Sequence, residues 1–488
     1  MKRYTGLLSF FIGGLILLTA SGCKKYLKED VYTEYAPGQF LNTEDGIQKV
    51  LVGAYSRLQV QDGTMNMRDD QFTLPEFPCD DFREYAGGFE QLALPYLNFN
   101  WDPTSVFFEQ IWSQMYNAVL NANVLLDNIS LIKSIPQSSA AGYIAEARFI
   151  RAAALWHLYR YFGAVPLITT SKELDFSPAR PTDDDFRKFI QTELTAAAQD
   201  LPVKQALSGK ATKGAALAML SKFYLNTLQW QAAADAEKSV MDLKVYSLFP
   251  EIENLFAVQN ENNNEYIFVY PCVNQYLYEN DYMPHAFPPN YPIQTNWENF
   301  GAQIALYTSF VKSFDPADRR LKMILTSYTD TKGVFHNLLQ DAQGNPLNDC
   351  RSFKYTPDPD AIGQNNGNDI PVIRYADILL GRAEALNELN GPNQESVDLI
   401  NQIRLRAGVA VVSLSDFGSK DALRNWLMQE RAWEFYGEGQ RRDDLIRMNK
   451  FISGAVARGK NARDFQVLYP IPQAEIDANP NLKQNPGY

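Results

Sequence analysis

Apolar residues in this chain recur at spacings of three and four, and the stretches that carry them come in pairs separated by short breaks. Between Glu146 and Phe162 the stripe is Ala147, Ile150, Ala154, Leu158 and Phe162, which is one face of a helix. Gly163 and Pro166 end it. From Ala211 to Leu243 the pattern runs through Ala215, Leu217, Leu220 and Tyr224, breaks near Gln229, and resumes with Ala232, Ala233 and Ala236. A comparable pair spans Tyr375–Leu389 and Glu395–Arg406, broken at Gly391 and Pro392. The alanines let the second helix of each pair lie close against the first, so a stack of helical hairpins is the expected scaffold.

Hairpins are expected near 105–162, 186–245, 372–406 and 420–450, and they resemble tetratricopeptide pairs. Two segments interrupt them. Residues 60–105 and 255–370 lack helical period, are rich in Pro, Asn, Gly, Asp and aromatics, and are too long for ordinary connections. Long loops on a rigid scaffold usually carry function. The expected fold class is therefore all-α: a tetratricopeptide-like helical superhelix with long, irregular, aromatic-rich loop insertions forming a ligand face. Residues 23–488 are read as a single domain.

The N-terminus points to a compartment. Lys2 and Arg3 precede an apolar run from Leu7 to Leu18, and Ala20, Ser21 and Gly22 lead into Cys23. This is the pattern of a lipoprotein signal peptide over residues 1–22, with Cys23 as the lipidated residue. The run is too short to span a bilayer, and no later run reaches the roughly 20 apolar residues a span needs. Several acyl chains, at about 0.8 kcal/mol per buried methylene, would hold the protein at a membrane. Removing Lys2 and Arg3 with the leader moves the formal charge from −12 to −14, which argues against nucleic acid and favours neutral ligands. Cys79, Cys272 and Cys350 are too few for a disulfide framework. They read as buried apolar groups, with one Cys79–Cys272 bridge left open.

A series of motifs, taken in order, resembles one family. Glu146-Ala-Arg-Phe-Ile-Arg151 through Tyr161-Phe-Gly-Ala-Val-Pro-Leu167, then Ala211-Thr-Lys-Gly-Ala-Ala216 and Phe314-Asp-Pro-Ala-Asp-Arg-Arg-Leu321, are similar to the helical signatures and turn of the SusD/RagB nutrient-binding lipoproteins. So are Ile373-Arg-Tyr-Ala-Asp-Ile-Leu-Leu380, Ile403-Arg-Leu-Arg-Ala-Gly408, and Glu430-Arg431 with Glu438-Gly-Gln-Arg-Arg-Asp-Asp-Leu445. The tail from Tyr469 to Tyr488 completes the series. The resemblance implies a tetratricopeptide-like fold, a lipid anchor at the outer membrane facing the cell exterior, and a glycan or oligosaccharide ligand. It also implies a SusC-like TonB-dependent transporter as partner, served by a protein that is not an enzyme. Peptide or another non-glycan cargo for the same transporter type is an alternative reading, and an all-helical glycoside hydrolase is a second one.

The charged motifs near the C-terminus sit among Trp426, Trp433 and Phe435. Charges placed near a core need partners, so Glu430, Arg431, Glu434, Arg441, Arg442 and Asp444 are expected to fix helix register as ion pairs. The candidate ligand site is the aromatic concentration in the second insertion: Trp297, Tyr276, Tyr278, Tyr282, Tyr291 and His285. Sugar rings pack their C–H faces on aromatic faces while polar side chains satisfy their hydroxyls. From the first insertion, where the resemblance places a neighbouring loop, Asp80, Asp81, Arg83 and Tyr85 join the candidates. Trp297 ranks first, because a tryptophan among polar loop residues is costly unless used. No catalytic residues are assigned: no nucleophile or metal-protease motif is present in the sequence, and adjacent Asp80 and Asp81 are ill placed to oppose one another across a sugar. His157, His285 and His336 form no spaced ligand pair, so no metal or other cofactor is expected. Calcium held by oxygen ligands between Asp358 and Asp369 is a minor alternative.

Overall fold

The computed structural model describes residues 43–59, 72–84, 88–132, 135–172, 175–301 and 303–488. The segment read as a signal peptide, Cys23 and Tyr85 lie outside the described residues.

The scaffold is a run of helices in which each packs on the next. It begins with α1 (Glu44–Leu58), then α2 (Glu90–Asn98), α3 (Val106–Asn128), α4 (Gln137–Phe162) and α5 (Asp183–Asp200). It continues with α6 (Lys213–Asn226), α7 (Trp230–Asp242), α8 (Tyr375–Asn390), α9 (Gln394–Ala407), α10 (Lys420–Phe435) and α11 (Arg441–Arg447). From α3 to α9 every helix contacts its successor, and α1 lies across α3 and α4. The helices start where the sequence supplies caps. Thr182 Oγ1 accepts the Asp185 amide at 3.1 Å, ahead of three aspartates in the first turn of α5. Thr212 caps α6, Asn393 caps α9 and Ser419 caps α10 in the same way. Gly391, with φ +76°, ends α8, and Gly408 in the left-handed region ends α9.

The break expected near Gln229 falls between α6 and α7, and small residues bring this pair close to α8. A Cβ on Gly381 of α8 would lie 2.3 Å from a carboxylate oxygen of Glu237 on α7 and 2.9 Å from Leu225 of α6. Only glycine permits that approach.

The insertions are held by short antiparallel ladders. β1 (Phe82–Glu84) pairs with β3 (Ile304–Leu306), which ties the first insertion to the second. β2 (Tyr266–Tyr270) pairs with β8 (Ile370–Arg374), joining the two ends of the second insertion against the helices. Within it, β4 (Ile324–Leu325) pairs with β7 (Arg351–Ser352), and β5 (Ser327–Thr329) with β6 (Phe335–Asn337). One expectation is corrected here: residues 90–98 were read as non-helical, yet they form α2. Pro95 and the aromatic content obscured a helix whose Ala93, Tyr96 and Leu97 are buried, a case of tertiary packing overriding local propensity.

The C-terminal charges form the lattice expected of them. Arg374, wholly buried, donates to Glu265 at 2.7 Å, Glu434 at 2.5 Å and Glu438 at 2.7 Å. Glu434 also accepts from Arg406 and from Arg320 at 3.2 Å, while Arg320 reaches Asp318 and Arg404 reaches Glu430. Lys354 Nζ contacts Glu438 and donates to the Glu434 and Tyr436 carbonyls at the end of α10. Five cations thus meet five carboxylates in a dry site, with net charge close to zero. Nearby, Arg431 joins Asp377 and Asp444. The lattice fastens three separate stretches of the second insertion to the end of β8, to α9 and to α10.

The tail closes the other side. Tyr469 donates its amide to Tyr161 at 2.7 Å, and the Asn485 side chain bonds the Phe162 and Tyr469 carbonyls. Residues 473–478 of the tail form a short helix.

Candidate functional site

The second insertion contains an aromatic stack. Phe287 lies between Tyr291, at 5.6 Å and 13°, and Trp297, at 5.7 Å and 10°, with Phe353 edge-on to Phe287 and Tyr291. Tyr328 leans on Tyr291, and His336 stacks on Tyr328 at 4.7 Å. Trp297 and Tyr291 are half-buried. Trp297 is clamped by its neighbours, because the Glu298 amide donates to the Gly363 carbonyl at 3.1 Å and the Gly363 amide to the Asn296 carbonyl at 2.7 Å. Gly363 sits at φ +63°, a conformation other residues rarely take. One face of the indole is therefore committed to Phe287, and Trp297 acts first as a pillar of the loop.

A second feature projects from this base. Residues 273–278 make a tight loop in which the Val273 amide donates to the Tyr278 carbonyl at 2.8 Å and the Tyr278 amide to the Gln275 carbonyl at 2.9 Å. Its two ends are pinned: the Cys272 amide donates to Asp369 at 2.9 Å, and the Asn280 amide to the Asn366 carbonyl at 2.8 Å. At the tip, Tyr276 and Tyr278 are 55% and 45% exposed. Rings of that size held in water on a pinned loop are unusual unless they meet a ligand. The turn at 361–368 links the two features, since it bonds to Asn280 on one side and to Asn296 and Glu298 on the other. Ile362, at its tip, is exposed too.

Other candidates are not at the surface. Tyr282 is buried between Phe72 and Tyr355, each 5.5 Å away. His285 is buried, hydrogen-bonded to Gln303 and packed on Phe300 at 4.8 Å. Asp81 is fully buried, with one oxygen accepting the Phe82 amide at 3.0 Å. Burial and the Asp80 charge push its carboxyl up to about 6, while its neighbour Glu76 is driven higher still by burial and Asp81. The two carboxyls interact at the base of the first insertion, where Glu76 also accepts the Gly439 amide at 2.6 Å. Asp80 is half-buried and held by Arg441 through two bonds of 2.7 and 2.9 Å. Burial of that carboxylate is outweighed by Arg441, which keeps it below the usual range. These two aspartates therefore brace the insertion and do not face each other across a cleft. Arg83 is half-buried, and its Nε donates to the Glu84 carbonyl at 3.1 Å.

The remaining polar candidates are also used structurally. Asp358 accepts the Asp360 and Gly367 amides at 2.9 Å each, and Asp369 accepts from Cys272. Among the described residues no group of three or more His, Cys, Asp or Glu side chains is arranged to hold a metal ion. Cys79, Cys272 and Cys350 are buried thiols outside any disulfide, so the bridge left open between Cys79 and Cys272 is not formed. His157 is buried, 3.2 Å from the Tyr270 hydroxyl, with burial lowering its proton affinity. Sequence reasoning missed Ile362 and the contributions of Tyr328 and His336. For Ile362 the signal was available, as the one large apolar residue in the run from Asp358 to Asn368.

Comparison with known proteins places this geometry. Residues 25–225 match a family model described as "Starch-binding associating with outer membrane", and residues 251–488 match that of the SusD family. A SusD-like protein, P25, from Formosa agariphila is 26% identical, the alignment covering 96% of both chains. The starch-binding protein SusD of Bacteroides thetaiotaomicron is 23% identical over 82% of both. Surface glycan-binding protein A from Bacteroides thetaiotaomicron, solved in complex with laminarihexaose, superposes with a TM-score of 0.76 at 20% identity. The match covers 91% of this chain and 99% of that one, a likeness of fold. With one family model matched by the helical N-terminal half and the other by the charge lattice and tail, the chain belongs to the SusD family.

Proposed function

We propose that this protein is a lipid-anchored lipoprotein of the outer membrane, facing the cell exterior, that binds a neutral glycan and delivers it to a SusC-like TonB-dependent transporter without cleaving it. The observation that carries the reading is the pinned loop 273–278 with Tyr276 and Tyr278 in solvent. Two aromatic rings presented on a short rigid loop offer the flat apolar faces that sugar rings pack against. The relatives named for starch, and the one solved with laminarihexaose, support a glycan as cargo. The signal-peptide pattern ending at Cys23 supports the anchor, and among the described residues no helix is long and apolar enough to cross a membrane. The acidic charge of the chain favours a neutral polymer.

The test is calorimetry on the soluble form, residues 24–488, against a panel of neutral and acidic oligosaccharides and a peptide pool, with chromatography of each mixture afterwards. Saturable binding to one neutral class, with the oligosaccharide recovered intact, is expected. Binding confined to peptides, or recovery of shortened sugars, would contradict the proposal.

A further inference from the structure

Beside the tyrosine loop lies a groove whose lining does not suit sugar hydroxyls. Tyr55 and Leu58 of α1, with Phe268 and Val269 of β2, form its base; Val52 and Leu207 flank it, and Tyr278 is part of its lip. Its volume is about 260 Å³. Val52 and Leu207 are 63% and 66% exposed, an apolar pairing at the surface that normally marks a contact.

The polar side chains around the groove are engaged elsewhere. The Tyr55 hydroxyl donates to Glu146 at 2.9 Å and accepts the Ala211 amide at 2.9 Å. Gln59 donates to the Pro271 carbonyl, Ser56 to the Gly53 carbonyl, and Lys210 pairs with Glu146 at 3.6 Å. What the groove presents is therefore methyl groups and ring faces. Its size suits a small substituent and falls below the range of sites that enclose a whole drug-sized ligand. Tyr278 belongs both to the ligand loop and to the lip of the groove, so a molecule touching that ring meets the groove as well.

From this continuity we infer that the cargo is a glycan carrying apolar ester substituents, O-acyl or aryl-ester groups, and that the groove takes the acyl or aryl group while the loop takes the sugar. The inference rests on the glycan-binding reading of the loop. It adds a class of substrate: an esterified polymer is preferred over the same polymer stripped of its esters.

Two measurements test it. The first does not depend on which sugar is bound. The soluble form is labelled at Ile, Leu and Val methyls and titrated with ethyl acetate and with methyl ferulate. Saturable shifts of the Val52, Leu58, Leu207 and Val269 methyls are expected. The shifts of Leu58 and Val269, whose methyls remain, are lost in the Val52→Asn, Leu207→Asn double variant, whose exposed positions leave the melting temperature unchanged. No shift at these methyls, or equal shifts in the variant, would overturn the inference. The second compares the glycan that binds in the oligosaccharide panel, O-acetylated and after alkaline deacetylation. The acetylated form is expected to bind at least about fivefold more tightly, from burial of its methyl groups, and the double variant to lose that preference. Equal affinities would overturn the groove assignment while leaving the loop reading intact. Failure of every glycan would overturn the loop reading itself, and the methyl titration would still report on the groove.

Discussion

Glu434 accepts from Arg320, Arg374 and Arg406 in a site closed to water. Burial by itself raises the proton affinity of its carboxyl, and the three guanidinium groups more than reverse this. Glu434→Gln would leave buried arginines facing one another, and a loss of roughly 3–5 kcal/mol is expected, read as a lowered denaturation midpoint. The same group sets an acid limit. A carboxylate held below its unfolded value stabilises the fold fully above that value, near 4, and the contribution fades as pH falls through the folded one. Glu84 works in the opposite sense. It is buried at the end of β1, and burial drives its carboxyl up to about 9 against the pull of Arg351. The fold keeps this proton after the unfolded chain has lost it, so stability falls as pH rises from about 4.5 toward 9. Melting scans between about pH 5 and about pH 9 should show a declining midpoint, and Glu84→Gln should flatten that decline. An equally steep decline in the variant would contradict this account. At this scale the ion pairs were legible in the sequence, because charges among Trp426, Trp433 and Phe435 had to be paired. Glu84 was not, since nothing in a three-residue strand shows that both carboxylate oxygens are shut away from water.

At the scale of elements, helix periodicity and capping residues were enough to expect most of the scaffold, with the break near Gln229 among the details. The close approach of α7 and α8 at Gly381 is a finding of the structure. Gly381→Ala would press a methyl into Glu237 and Leu225, and a destabilisation of about 1–3 kcal/mol is expected from overpacking. The candidate ligand loops were harder to read. Tyr276, Tyr278, Tyr282 and His285 fall within ten residues of one another, yet the first two stand in water and the last two are core. Composition cannot separate them, because burial there is decided by contacts with Phe72 and Tyr355 from distant parts of the chain and with Phe300 farther along the same insertion. The structure also divides their expected behaviour. Trp297→Ala removes a ring stacked on Phe287 and should lower both binding and stability, the latter by roughly 2–3 kcal/mol for a half-buried tryptophan. Tyr276→Ala should lower binding and leave the melting temperature within about 1 °C, as exposed substitutions do. Equal effects on stability would show that the loop is a core element.

For the molecule as a whole, the superhelix supplies rigidity and the insertions supply chemistry. The β1–β3 ladder, the Glu76–Asp81 pair and the lattice around Glu434 join the two insertions to each other and to α8–α11. A site mounted in this way loses little freedom on binding, which favours affinity for a flexible polymer. Individual sites can still be weak, because many copies on one membrane would engage one chain together. The family was legible in the sequence through the ordered motifs. The identity of the sugar was not, because it depends on loop geometry that no motif encodes. The most direct measurement compares, by calorimetry, residues 24–488 with the Tyr276→Ala, Tyr278→Ala double variant on the glycan that binds in the panel. The account predicts a loss of at least tenfold in affinity, about 1.4 kcal/mol, at an unchanged melting temperature. Undiminished binding by a folded double variant would contradict it, and would place the ligand away from the tyrosine loop.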